Sequence, residues 1–214
     1  MKLHTFFQSG SAYRVRIALN LKRIDYEPVF VRGGRGSQEL RSPAYLQVNP
    51  QGVVPTLEHE GRLFAQSLPI MEYLEERFPT PSILPVAASD RERVRALAQL
   101  VVSDIHPLTT ARVIGYMERD LALTSEQQQA WLRHWNLSGL RTFETLLAQD
   151  SRTGRCCHGD EPTLADICLI PQVRMARRLG CDVSDLPAIE RIDAHCLAHP
   201  AFQRAAPENQ PDAT

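Results

Sequence analysis

No run of apolar residues in this chain approaches the roughly 20 needed to cross a bilayer. The Met1-Lys2-Leu3-His4 start is not followed by an apolar core of the signal-peptide kind. A cytoplasmic protein with no membrane partner is therefore expected. An excess of either charge is lacking too. Lys and Arg total 24 against 25 Asp and Glu, for a net charge of −1, and this gives no general attraction for nucleic acid. Cysteine is missing from the whole N-terminal half. The five present (Cys156, Cys157, Cys168, Cys181, Cys196) are odd in number and form no Cys-x-x-Cys. Neither a disulfide framework nor a dithiol redox site is indicated. Cys156-Cys157-His158 makes a poor metal site, because neighbouring residues of an extended chain point to opposite faces and no second ligand pair has finger-like spacing. No metal is expected. Internal repeats and low-complexity tracts are absent as well.

What is there suits a soluble globular protein: 214 residues, 43% apolar and 23% charged, enough for one large or two modest domains. The first part alternates. A strand over 2–7 meets the small polar turn Gln8-Ser9-Gly10-Ser11, and a basic amphipathic helix follows over 11–22, with Val15, Ala18, Leu19 and Lys22 at helical spacing and Arg14 and Arg16 on the surface. A second strand covers 26–31. The Arg32-Gly33-Gly34-Arg35-Gly36-Ser37 loop reads as flexible and basic, and a short turn covers Pro43 to Leu46. Val54–Glu58 and Arg62–Ala65 then form a hairpin, and Ser67 caps a helix with Pro69 in its first turn.

The proline-rich run from Pro79 to Ser89 marks a boundary. Beyond it the pattern is helical only: a helix capped by Asp90, a break at His106-Pro107 and a resumption over 108–119. Next come a long helix over 125–147 with Leu132, Trp135, Phe143 and Leu146 inward, a helix from the Thr163/Asp166 capping box to Leu179, and a last helix over 187–197. The tail from Ala206 onward is expected to lie loosely on the surface. The domains expected are 1–80 (α/β), a linker over 81–89, and 90–214 (all-α). At the opening turn, hydroxyls stand at a helix N-terminus, whose unpaired first-turn donors and positive dipole end attract anions. The anion expected is a thiolate, held by Ser9.

Four motifs then follow in order: Ser9-Gly10-Ser11-Ala12-Tyr13-Arg14-Val15-Arg16, Asn49-Pro50-Gln51-Gly52-Val53-Val54-Pro55-Thr56, Gln66-Ser67-Leu68-Pro69-Ile70 and Gly159-Asp160-Glu161-Pro162-Thr163-Leu164-Ala165-Asp166. As a set they closely resemble the zeta class of cytosolic glutathione transferases, the class that contains maleylacetoacetate isomerase and the glutathione-dependent maleylpyruvate isomerase. The resemblance implies an N-terminal thioredoxin-like domain followed by an all-helical C-terminal domain, glutathione as cofactor, and a homodimer. It also implies that Ser9 hydrogen-bonds the glutathione sulfur, with Ser11 beside it. Val54, before a cis Pro55, would offer its backbone to the peptide, and Gln66 and Ser67 would hold the γ-glutamyl carboxylate. Asp104 and His106 would add to that pocket. Arg112 and either Arg177 or Arg178 (Arg178 the better candidate) would clamp a small acidic substrate, an unsaturated diketo acid, because guanidinium pairs bidentately with carboxylate.

Two positions depart from the pattern: Gln8 stands where the family commonly has Arg before the first serine, and Thr109-Thr110-Ala111 replaces an Asn-containing run. Three functions follow from these readings. The first is glutathione-dependent cis–trans isomerisation of maleylacetoacetate or maleylpyruvate in aromatic catabolism. The second is glutathione transfer to another electrophile, such as a halogenated acid. The third is a non-catalytic interaction module on the same fold.

Overall fold

The computed structural model describes residues 1–34 and 37–213. Arg35 and Gly36, inside the expected glycine-rich loop, lie outside the described residues. The chain packs as two units, Met1–Ile83 together with the segment from His199 onward, and Leu84–Ala198. This division differs from the expected one, which placed everything after the linker in a single helical domain.

The first unit is built on a four-stranded sheet in the order β2-β1-β3-β4. Strand β1 (Lys2–Thr5) runs parallel to β2 (Glu27–Phe30) and antiparallel to β3 (Thr56–His59), which turns through a hairpin into β4 (Arg62–Ala65). Lys2 lies opposite Glu27 on one side and Glu58 on the other. A parallel pair needs a crossover, and helix α1 (Gly10–Leu21) is that crossover. It is not the amphipathic surface helix that its spacing predicts. Ala12 to Leu19 are all buried, and Arg14 and Arg16 are 1% and 0% exposed. The cause lies at the far end of the chain. Helix α9 (Pro200–Ala205) packs on α1 and supplies backbone acceptors there: Arg16 Nε donates to Ala205 O at 3.0 Å and Asn20 Nδ2 to Ala201 O at 3.0 Å.

Helix α2 (Pro43–Val48), capped by Ser42, leads to the loop before β3. That loop is tied internally. Asn49 Nδ2 donates to Val53 O at 2.8 Å and to Thr56 Oγ1 at 3.1 Å, and Tyr45 OH donates to Val53 O at 2.8 Å. Gly52 adopts φ +62°, and a Cβ there would sit 2.7 Å from Leu40 O, so only glycine fits. Helix α3 (Ser67–Arg77) closes the unit. On its inner side Lys22 Nζ reaches Glu75 Oε2 at 2.6 Å and the carbonyls of Phe78 and Pro81 at 2.7 and 2.9 Å. Glu75 also accepts from the Ser82 hydroxyl and from Ile83 N–H.

The second unit is helical. Helix α4 (Ala88–Gln99) is capped at Ala87, whose carbonyl accepts from Asp90 and Arg91 N–H; Asp90 sits in the first turn instead of capping it. The helix then widens to π geometry over Leu100–Ile105 and tightens to a 3₁₀ turn over His106–Thr109, before α5 (Ala111–Arg119). Helix α6 (Ser125–Ala148) turns Leu147 inward at 1% exposure and leaves Leu146 45% exposed. Helix α7 (Leu164–Arg178) is buried along most of its length, and α8 (Pro187–Ala198) follows. No helix among the described residues is long and apolar enough to cross a membrane.

α8 is not the last helix. After α9 and a 3₁₀ turn (Pro207–Asn209) the tail, expected to lie loosely, is anchored by side-chain-to-backbone bonds that composition does not announce. Gln210 Nε2 donates to Arg204 O and Ala206 O at 2.8 and 3.0 Å, and Asp212 accepts from Phe7 N–H at 3.0 Å.

Glu75 yields a pH prediction. Burial raises its pKa, but the Lys22 ammonium, the Ser82 hydroxyl and the Ile83 N–H outweigh that and hold the carboxyl below its ordinary value of 4.5. A depressed carboxyl contributes stability above its unfolded pKa and loses it as pH falls through the folded one. Denaturant unfolding of Glu75→Gln should show a loss of about 3 kcal/mol at neutral pH, because Lys22 is left buried without its counter-ion. The gap from wild type should narrow below about pH 4.

Candidate active site

Ser9 is the N-cap of α1, with φ −67° and ψ 116°. Its Oγ accepts from Ala12 N–H at 3.2 Å, its N–H donates to Phe6 O at 3.0 Å, and the residue is half-buried. A hydroxyl that accepts from the helix keeps its own proton available for an external acceptor. Ser11 is the second residue of α1, half-buried. Gln8, just before the turn, is exposed.

The same unit presents a second helix start. Ser67 is the first residue of α3, not its cap; the cap position is Gln66, held at φ +70°. A non-glycine residue in that region is strained and is found where the surroundings hold it in place. Here Gln66 Nε2 donates to Gln51 Oε1 at 2.8 Å. Ser67 is buried, and Arg14 Nη1 approaches its hydroxyl at 3.5 Å. Val54 is buried, and the Val54–Pro55 bond is cis. This unit therefore offers two helix N-termini, two serine hydroxyls and a buried guanidinium. Groups of these kinds suit anionic ligands.

In the second unit Asp104 is exposed within the π-widened stretch, and His106, half-buried, begins the 3₁₀ turn. Wide turns of this kind are frequent at functional sites. The hydroxyls of Thr109 and Thr110 donate to His106 O and Pro107 O at 3.0 and 3.2 Å, so both are engaged in their own turn. Arg112 is exposed in the first turn of α5. Both arginines at the end of α7 are exposed. Arg177 pairs with Asp193, which is 2% exposed.

The cysteines form no open site. Sγ of Cys156 and of Cys196 and an Asp166 oxygen lie within 4.8 Å of one another. That carboxylate, however, is the capping group of α7 and already accepts from Cys157 N–H at 2.7 Å and from Thr163 N–H and hydroxyl at 2.8 Å. Burial first, and Asp166 beside it, push the Cys157 thiol well up, away from the thiolate form that binds metals.

Residues 3–82 match the glutathione S-transferase N-terminal domain family. Over 213 residues the chain is 46% identical to maleylacetoacetate isomerase of Pseudomonas aeruginosa, covering 99% of this chain and 98% of that one. A solved maleylpyruvate isomerase, described as a bacterial glutathione S-transferase of the zeta class, superposes with TM-score 0.97 at 43% identity over the full length of both chains. The chain belongs to the zeta class of glutathione S-transferases. A maleylacetoacetate isomerase from Methylobacterium extorquens AM1, solved with malonate and glutathione bound, is similar at TM-score 0.96 and 40% identity, again over both full lengths.

Several residues that hold these segments in place carry no local signal in the sequence. Gln51 went unassigned although it braces Gln66. Arg14 and Arg16 were placed on the surface because periodicity carries no information about a distant helix. Gly139 of α6 carried no signal at all, yet a Cβ there would come within 2.3 Å of Ile105 Cγ1 in the π stretch that bears Asp104. Gly139→Ala should therefore lower stability by about 1–3 kcal/mol through overpacking. A fall in the thermal midpoint measures it; an unchanged midpoint would mean that Ile105 can yield without cost.

Proposed function

We propose that this chain is a glutathione-dependent cis–trans isomerase of maleylacetoacetate or its analogue maleylpyruvate. The reading rests on one observation: full-length similarity to isomerases of both names. It extends to a homodimer in the cytoplasm, the commonest symmetric assembly for such a chain.

Glutathione, when bound, supplies the thiolate that adds reversibly to the cis double bond, so that the bond can rotate before elimination restores it as trans. Ser9 donates its hydroxyl to the sulfur and, with the N-terminal end of α1, favours the charged form at neutral pH. Gln66, Ser67 and the first-turn N–H groups of α3 bind the γ-glutamyl carboxylate, and the Val54 backbone orients the peptide. Ser11, Asp104 and His106 complete the cofactor's surroundings. Arg112 and Arg178 hold the substrate carboxylates and stabilise the negative charge that develops on the conjugated carbonyl oxygen.

One feature favours a second reading, transfer to a different electrophile. Where the family has arginine and asparagine, this chain has the exposed Gln8 and two threonines whose hydroxyls serve their own turn.

Following loss of the enol absorbance with glutathione and either maleyl substrate tests the first reading; no turnover of either by protein that binds glutathione would reject it. Ser9→Ala should lower kcat/KM about 10- to 100-fold, the worth of one hydrogen bond to a charged group. Arg178→Met should cost a similar factor without moving the thermal midpoint. Arg177→Met should instead lower the midpoint, because it strands a buried Asp193 carboxylate.

A further inference from the structure

We propose that Asp212 is a positioning residue for the Ser9 turn, and that the C-terminal tail belongs to the catalytic apparatus as a latch on that turn. The inference rests on the role proposed for Ser9. Three peptide positions precede the serine, and the backbone of Phe7 is held on both sides. Its N–H donates to Asp212 Oδ2 at 3.0 Å, and its carbonyl accepts from Arg16 Nη2 at 3.1 Å. The carbonyl before it, Phe6 O, accepts from Arg16 Nη1 at 3.3 Å and from Ser9 N–H at 3.0 Å. Gln8, the remaining residue of the turn, is exposed. The backbone leading into Ser9 is thus held by two groups, one guanidinium and one carboxylate, while Ala12 N–H holds the serine hydroxyl itself.

Those two groups belong to a closed circuit. The guanidinium that holds Phe6 and Phe7 also donates to Ala205 O at the end of α9. From there the chain folds back: Asn209 Nδ2 donates to Gln203 O at 2.8 Å, and Gln210 Nε2 bonds Arg204 O and Ala206 O. This fold brings Asp212 to Phe7, 205 positions away in sequence. The carboxylate also carries a cost that a loose tail would avoid. Its other oxygen, Oδ1, is buried without a hydrogen-bond partner, whereas an unconstrained carboxylate would keep both oxygens in water. The compensating bond is of the stronger, charge-assisted kind, and its donor lies two residues before Ser9.

Asp212→Ala and Asp212→Asn, with a chain ending at Pro211 as a third form, separate positioning from charge and from folding. In the glutathione-free protein, exchange of the Phe7 amide hydrogen should quicken about tenfold in Asp212→Ala and stay near wild type in Asp212→Asn, whose amide oxygen still accepts. With glutathione bound, the ultraviolet thiolate band should titrate about half a unit higher in Asp212→Ala and in the shortened chain, and kcat should fall about tenfold with a smaller change in the glutathione KM. Unchanged exchange in Asp212→Ala overturns the latch whatever the substrate is. So does a thiolate band that moves down in both point variants, because then only the lost negative charge is being felt. Wild-type protein that shows the protected amide but turns over neither maleyl substrate overturns the substrate reading and leaves the latch standing.

Discussion

A single buried guanidinium organises the first unit of this protein. Arg16 is fully buried on α1 and donates to the end of β1 through Thr5 Oγ1 at 3.0 Å, to the turn through Phe6 O and Phe7 O, and to α9 through Ala205 O. Burying a cation is costly unless its donors are matched, and guanidinium, with its rigid fork of N–H groups, can bond several carbonyls at once. One side chain thus joins the strand, the turn that carries Ser9 and the last helix of the chain. The arrangement also explains why the segment from His199 onward packs with the first unit and not with the helices that precede it in sequence.

A second charged cluster closes the opposite end of α1. Lys22 meets Glu75 and two carbonyls, and Glu75 gathers a hydroxyl and an amide from the residues that leave α3. Between these two clusters α1 is buried on nearly all sides. Arg16, Asn20 and Lys22 mark where the helix meets backbone carbonyls, not where it meets water.

The two departures from the family pattern fall on different elements of the chain. Ser9, Val54, Gln66 and Ser67 stand on strand ends and helix starts whose geometry is fixed by dense internal bonding, such as the Asn49, Tyr45 and Thr56 contacts around Val53. Gln8 and Thr109-Thr110, by contrast, sit on an exposed turn residue and in a short 3₁₀ turn.

Much of this was legible in the residues themselves. The order of strands and helices, the Thr163/Asp166 capping box and the serine at a helix start are local signals, set by periodicity, capping and proline within a few positions. They suffice to name the fold, and with the motifs the family. The burial of Arg14 and Arg16, the tie of Asp212 to Phe7, the close approach of Gly139 to Ile105 and the pairing of Arg177 with Asp193 were decided only in three dimensions. Each depends on a partner tens to hundreds of residues away, and a short-range pattern cannot say whether a polar side chain will find water or a carbonyl at the end of its reach.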